Sequence, residues 1–322
     1  MALQIGIDLG GTSAKIGVVD DAYQIVARAE VPTGAELPFQ VLVRAFADAI
    51  GAFPPALTGE VRSIGIGVPS SIVCDTRIVV HANNLGWRNV DVVSELQTYF
   101  PCPIGIANDA DSAAYGEALA GAGVGYDYLL MLTLGTGVGG GIIDHGRIFL
   151  GGNGCGIEPG HMTIVENGLR CTCGRYGCLE SYASATALNR EIAAAAQESR
   201  SATLRDMLAL AGGQPNARMA FEAAALGDVA ARRILTAYLH SLAVGISNMV
   251  TLFRPQVIVL GGGISNAGKM LFAPLRQLVC DMTYGVDIMG CPSVVPAKLG
   301  NDAGIVGAAF LHRQSLPPDT SA

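Results

Sequence analysis

A two-lobed α/β protein is the fold class the sequence predicts, on three observations: a chain of 322 residues, short β-rich runs alternating with alanine-rich helical stretches, and a glycine-turned hairpin pattern that occurs twice. The length exceeds one average domain and suits two, each with its own core. Alternation of strand and helix is the pattern of α/β layers. The repeat reads strand, Asp8-Leu9-Gly10-Gly11-Thr12, strand, Asp20, and again strand, Thr133-Leu134-Gly135-Thr136-Gly137, strand, Asp144. Two such hairpins facing each other would bring backbone N–H groups around one polyphosphate, because glycine lets the chain come close and adopt positive φ. Two ordinary tight hairpins are the alternative.

In chain order, strands are expected over 4–8, 14–19, 63–68, 104–107, 129–134, 140–143, 257–260 and 293–296. Helices are expected over 38–52, 90–99, 111–120, 184–197, 203–211, 217–226, 229–252 and 304–314. The 229–252 stretch is long and mostly apolar and belongs in the core of the second lobe. The lobes are expected at 1–118, with a C-terminal helix of about 304–322 returning to it, and at 119–303.

Half of the residues are hydrophobic and 15% are charged, and Gly supplies 42 of 322, about twice its usual ~7%. A net charge of −7 without any basic run argues against a nucleic-acid partner, since phosphate neutralisation needs clustered Lys and Arg. The N-terminus has no positive n-region and carries Asp8 in its first apolar stretch, unlike a secretory signal. The apolar run 128–143 is broken by glycines and falls short of the ~20 residues that cross a bilayer. A soluble, cytoplasmic protein with no membrane partner is expected. Three of eight cysteines cluster at 171–178, which points to metal; Cys74, Cys102, Cys155, Cys280 and Cys291 are scattered, as free thiols in a reducing compartment would be.

Two glycine motifs imitate nucleotide fingerprints. Residues 135–140 contain G-x-G-x-x-G after a strand, but a second strand follows where a dinucleotide fold needs a helix N-terminus. Residues 263–270 have P-loop spacing, but Met270 stands where a Ser or Thr would ligate magnesium. A better reading is that Gly261-Gly262-Gly263 offers bare backbone on which an adenine and its ribose rest; an unliganded strand-to-helix turn is the alternative.

His161, Cys171, Cys173 and Cys178 follow the spacing H-x9-C-x-C-x4-C in a glycine-rich loop. Three thiolates and an imidazole suit a closed tetrahedral, structural zinc. A redox dithiol would want C-x-x-C. Glu158 and Glu180 flank this loop, so a metal would fix both carboxylates as a clamp for sugar hydroxyls, with the free nitrogen of His161 beside them.

On these residues the chain resembles the ROK family (repressors, open reading frames and kinases) of the actin/hexokinase superfamily. The match covers nearly the whole chain: Asp8-Leu9-Gly10-Gly11-Thr12 is similar to the first phosphate motif, Leu134-Gly135-Thr136-Gly137 to the second, and Leu260-Gly261-Gly262-Gly263 to the adenosine motif. Most specific are Glu158-Pro159-Gly160-His161 and the 171–180 string, which resemble the family's zinc signature. The resemblance implies a two-lobed actin-like ATPase (ribonuclease H-like) fold with an interlobe cleft. It also implies ATP with Mg2+, organised by Asp8, Gly10, Gly11, Thr12, Gly135, Thr136, Gly137, Gly261 and Gly262. Asp109 of Asn108-Asp109-Ala110 is then the catalytic base, with Asn108, Asp109, Glu158, His161 and Glu180 binding the sugar. Asn301-Asp302-Ala303 repeats the tripeptide, but its position after the adenosine motif matches the family's lobe-connecting segment. The family's DNA-binding repressors carry an N-terminal winged helix, for which the position of Asp8 leaves no room. An actin-like ATPase without a sugar substrate is disfavoured by the Glu158, His161, Glu180 clamp. Asn84-Leu85-Gly86-Trp87 matches a family segment. Pro69-Ser70-Ser71 departs from the family's Pro-Gly in a loop that borders the sugar. The expected activity is transfer of the ATP γ-phosphate to the 6-hydroxyl of an aldohexose, glucose first, with N-acetylmannosamine, N-acetylglucosamine, fructose, allose or non-catalytic sugar sensing as alternatives. A homodimer or homotetramer is expected.

Overall fold

The structure, a computed structural model, describes residues 3–59, 61–70, 72–73 and 76–314. Ser71, Cys74 and residues 315–322 of the expected C-terminal helix lie outside the described residues. Thirteen strands are described: β1 (Leu3–Leu9), β2 (Ser13–Asp20), β3 (Ile25–Pro32), β4 (Val61–Val68), β5 (Ile72–Val73), β6 (Ile78–Ala82), β7 (Trp87–Val90), β8 (Ile104–Asn108), β9 (Tyr128–Leu134), β10 (Val138–Asp144), β11 (Arg147–Ile148), β12 (Val257–Gly261) and β13 (Ser293–Pro296). They form sheets of order β3-β2-β1-β4-β8, β11-β10-β9-β12-β13 and β5-β6-β7. The mixed α/β class matches the expectation.

The chain divides into two compact units. One comprises Met1–Met131, Gly141–Ile157 and Lys298–Ala322; the other comprises Leu132–Gly140 and Glu158–Ala297. This division departs from a single break after residue 118: residues 119–131 and 141–157 group with the first unit, while the tip of the β9–β10 hairpin groups with the second.

In the first unit β1 pairs antiparallel with β2 and parallel with β4, which pairs parallel with β8. Ile5, Ile7 and Leu9 alternate onto one face and are fully buried with Phe46, Leu42 and Leu96 from the helices Phe39–Gly51 and Val92–Gln97. The opposite face carries Gly6 and Gly65, where a Cβ would meet the backbone of Ile305 and Ala308. The helix Ala303–Ala309 therefore lies directly on the sheet, which accounts for part of the glycine surplus. That helix is shorter than the 304–314 expected, and a 3-10 turn, Leu311–Gln314, continues it.

The second unit is built around the helix Val229–Phe253. Asp228 caps its start, accepting from Ala231 N at 2.8 Å, and Arg254 closes it in the left-handed region at φ 49°. Its length and composition would suffice to cross a membrane, but 61% of its apolar window is buried within the protein. It is a core helix, as the sequence suggested. The helix Lys269–Met282 packs against it. One cysteine expectation is corrected here: Cys280 and Cys291 form a disulfide with Cα atoms 5.5 Å apart. The helix end at Cys280 and the approach to β13 bring together two thiols whose sequence spacing carries no signature. Cys102 and Cys155 are free thiols.

Candidate active site

In the first unit Asp8 pairs with Gly67 and Val68 with Asn108. Asp8, Gly67 and Asn108-Asp109 thus gather at the carboxyl ends of three parallel strands, where α/β sheets bind ligands. The β1–β2 hairpin turns through Gly10, whose N–H donates to Ser13 O at 2.9 Å, and Thr33 Oγ1 donates to Gly10 O at 2.8 Å. Gly11 stands against the side chain of Asn84, and Thr12 is exposed at the turn. Asn108 caps the helix Asp109–Ala120: its Oδ1 accepts from Ala110 N at 2.8 Å and Asp111 N at 3.3 Å, and its Nδ2 donates to Ser70 O at 3.3 Å. Both polar ends of Asn108 are engaged within the protein, so in this structure it orients the helix start that carries Asp109. Burial, and next the negative charge of Asp109, push the Asp8 carboxyl up to about 6 against the pull of Lys15. A carboxylate held against a second negative charge is what a divalent cation relieves. Asp302, the rival aspartate, instead receives two guanidinium nitrogens of Arg28 at 2.6 and 2.7 Å.

In the second unit Gly135 N donates to Gly137 O at 3.0 Å, closing the hairpin tip. Ala185 N donates to Gly135 O at 2.8 Å and Thr186 Oγ1 to Thr136 O at 2.7 Å, fastening the tip to the start of the helix Ala185–Gln197. Beside it lies a cavity of about 760 Å³ lined by Gly135, Thr136, Asn189, Phe221, Gly263 and Met270 among others, within the range of cofactor pockets. Gly261 and Gly262, expected in this role, do not line it. Gly261 is buried in β12, and Gly262 turns at φ +81°, where a Cβ would strike the backbone of Leu134. Gly263, the last of that glycine run, does line the cavity. Asn189 was missed because one amide in an alanine-rich helix carries no signal; its buried Oδ1 has no partner among the described residues and can receive a hydrogen bond from a bound base.

The donor atoms of His161, Cys171, Cys173 and Cys178 all lie within 4.8 Å of one another. His161 Nδ1 and Cys171 Sγ are 3.7 Å apart, as are the sulfurs of Cys173 and Cys178. A tetrahedron with ~2.3 Å zinc–sulfur bonds has edges of roughly 3.8 Å, so these residues fit zinc. Burial works to raise both buried thiols. Hydrogen bonds outweigh it at Cys171 and bring that thiol down to about 7, while burial and the neighbouring sulfurs push Cys178 up to about 12. Glu180 joins the cluster to the hairpin: its Oε2 accepts from Val138 N at 3.0 Å, and its Oε1 lies 3.4 Å from Thr172 Oγ1 and 3.8 Å from Cys171 Sγ. Gly137 leaves room for that carboxylate. Glu158 is exposed at the start of the 3-10 turn Pro159–His161.

Residues 4–315 match the model of the ROK family. The chain is 36% identical over 313 residues to a glucokinase of Thermotoga maritima, covering 97% of this chain and 98% of the relative. Among solved structures it is similar to a ROK family glucokinase from Streptomyces griseus in complex with glucose and AMPPNP, with a TM-score of 0.81, 33% identity, and 98% and 100% of the two chains covered. The ROK hexokinase of Thermus thermophilus gives a TM-score of 0.80 at 29% identity, over 96% of this chain and 97% of that one. Likeness of this extent makes the fold the actin-like ATPase fold of those sugar kinases. With the family model spanning nearly every residue from β1 to the last 3-10 turn, this chain belongs to the ROK family.

Proposed function

We propose that the chain is an ATP-dependent hexose kinase that phosphorylates the 6-hydroxyl of an aldohexose, glucose above the others. The observation that carries this reading is the meeting of Asp8 and Asp109 at the carboxyl ends of β1, β4 and β8, with Asn108 capping the helix that presents Asp109. In the proposed step Asp109 takes the proton of the 6-hydroxyl as that oxygen bonds to the γ-phosphorus and the bond to the β-phosphate oxygen breaks. ADP leaves. Asp8 is suited to hold Mg2+, whose charge offsets that of the phosphates. Gly10, Gly11, Thr12, Gly135, Thr136 and Gly137 supply hairpin backbone for the polyphosphate, and the 760 Å³ cavity, with Asn189, suits adenosine.

Glu158, His161 and Glu180 are assigned to the sugar hydroxyls together with Asn108, whose capping bonds occupy its Oδ1 and leave the second Nδ2–H to donate. His161, Cys171, Cys173 and Cys178 would hold zinc, which fixes the loop bearing these groups. Assembly as a homodimer or homotetramer and a cytoplasmic location rest on family membership, because the Cys280–Cys291 disulfide removes the cysteine argument for a reducing compartment.

The test is ADP release measured with ATP and Mg2+ over glucose, mannose, fructose, allose and the N-acetylhexosamines, for the native protein and for Asp109→Asn. Glucose should stimulate most, and the variant should lose transfer while keeping nucleotide and sugar binding. Stimulation by none of the sugars, or full activity of Asp109→Asn, would overturn the assignment.

A further inference from the structure

A second cavity of the second unit, of about 500 Å³, shares no lining residue with the nucleotide cavity. The two use opposite faces of the helix Ala185–Gln197: Ala185 and Asn189 face one, Leu188, Arg190 and Glu191 the other. Arg190, Arg200, Arg233 and Glu191 line the second cavity.

The three arginines are not equally committed. Arg200 pairs with the exposed Glu198 at 2.7 Å, and Arg190 with Glu191 at 3.2 Å, both solvent-screened contacts. Arg233 has no hydrogen bond or ion pair among the described residues. Tyr238, on the same helix five residues on, also lines the cavity. It is only 3% exposed, and its hydroxyl has no hydrogen-bond partner among the described residues. A buried hydroxyl left without a partner costs free energy, which a bound acceptor recovers. Leu188, Val229, Ile234 and Ala237 supply an apolar wall.

We propose that this cavity binds a small phosphate monoester, with the phosphate among Arg233, Arg200 and Arg190, the Tyr238 hydroxyl donating to it, and a compact carbon portion against the apolar wall. Guanidinium forks match phosphate oxygens in pairs, which favours this class over a single-charged carboxylate. The site adjoins the metal loop. Leu169 N donates to Tyr182 Oη at 2.6 Å, both residues line the cavity, and both Nη atoms of Arg190 donate to Ser181 O at 3.1 Å, one residue after Glu180. An occupant that recruits Arg190 loosens that hold and shifts affinity for the sugar; this consequence rests on the proposed function, whereas binding itself does not.

The test is calorimetric titration of the full chain with glycerol 3-phosphate, 3-phosphoglycerate and inorganic phosphate, with Mg2+ and AMPPNP present to fill the nucleotide cavity. Saturable binding of one ester per chain is expected, weakened roughly tenfold or more by Arg233→Glu and less by Tyr238→Phe, each removing a charge-assisted or neutral hydrogen bond. Both variants should keep native circular dichroism and sugar-independent nucleotide binding. Phosphate binding as tightly as the esters would assign the site to the anion alone. No saturable binding of any of the three, or unchanged binding in both variants, would overturn the proposal.

Discussion

Gly304 lies beneath the carboxylate of Asp8: a Cβ built on Gly304 would stand 2.7 Å from Asp8 Cγ and 2.8 and 3.0 Å from its oxygens. The helix Ala303–Ala309 thus meets the end of β1 where the side chain is absent. In Gly304→Ala the alanine would suit the helix better by about 0.5–1 kcal/mol, but the carboxylate must move. We expect folding to be kept and kcat/KM for ATP to fall by on the order of 10²-fold, the cost of misplacing a positioning group by about 1 Å. Steady-state kinetics at saturating glucose checks this, and a native rate would show that Asp8 need not sit where it does.

The Asp8 carboxyl supplies a pH test. Its folded value of about 6 lies above the ordinary 3.8, so the folded state binds the proton more tightly than the unfolded one. The stability linked to that proton is fully present below 3.8 and is lost as pH rises through about 6. Asp8→Asn lacks this loss. Metal-free denaturant titrations should find the variant more stable than the native protein at pH 8 by up to about 3 kcal/mol, with the gap closing toward pH 4. An equal gap at both pH values would contradict the buried pairing with Asp109.

The elements legible in the sequence were those whose signal is local. The hairpins at Gly10 and Gly135, the strand before Asp109 and the 229–253 helix each announce themselves within a short window, and the His161, Cys171, Cys173, Cys178 set lies within one loop. What stayed hidden depends on distant partners. β3 alternates half-buried and exposed residues, but its apolar side is alanine-rich, and its pairing with β2 decides it. The helix Lys269–Met282 contains Pro274, which argues against a helix when read locally. Arg28 and Asp302 pair across 274 residues, and Cys280 and Cys291 meet because a helix end faces a strand start. The strand that leads to Asn108 was legible. The double capping bond of Asn108 was not.

Removing one thiolate tests the metal loop. Cys173 is the exposed member of the cluster, so Cys173→Ser perturbs packing least while deleting one of four donors. Zinc content by elemental analysis should fall from one per chain toward zero, and the KM for glucose should rise at least tenfold with a smaller change in KM for ATP, because Glu180 and His161 lose their common anchor. A variant that loses zinc yet keeps its glucose KM would separate the metal from the sugar site.

Glu117 is fully buried, and its carboxylate accepts backbone N–H groups from Ala122 at 2.7 Å, Lys298 at 3.0 Å and Leu299 at 2.7 Å. It ties the end of the helix Asp109–Ala120 to the segment that leads into the helix Ala303–Ala309, so both elements beneath Asp8 and Asp109 depend on it. Glu117→Ala leaves three buried donors unanswered, and we expect a loss of about 3 kcal/mol or more in the unfolding of the first unit. Glu117→Gln keeps one acceptor oxygen and replaces the other by an amide that cannot accept, so its loss should be smaller but still above about 1 kcal/mol. Denaturant midpoints should therefore order as native, Gln, Ala. Because Gln leaves no cavity, equal midpoints for the two variants would show that the cost does not grow with the number of unanswered N–H groups.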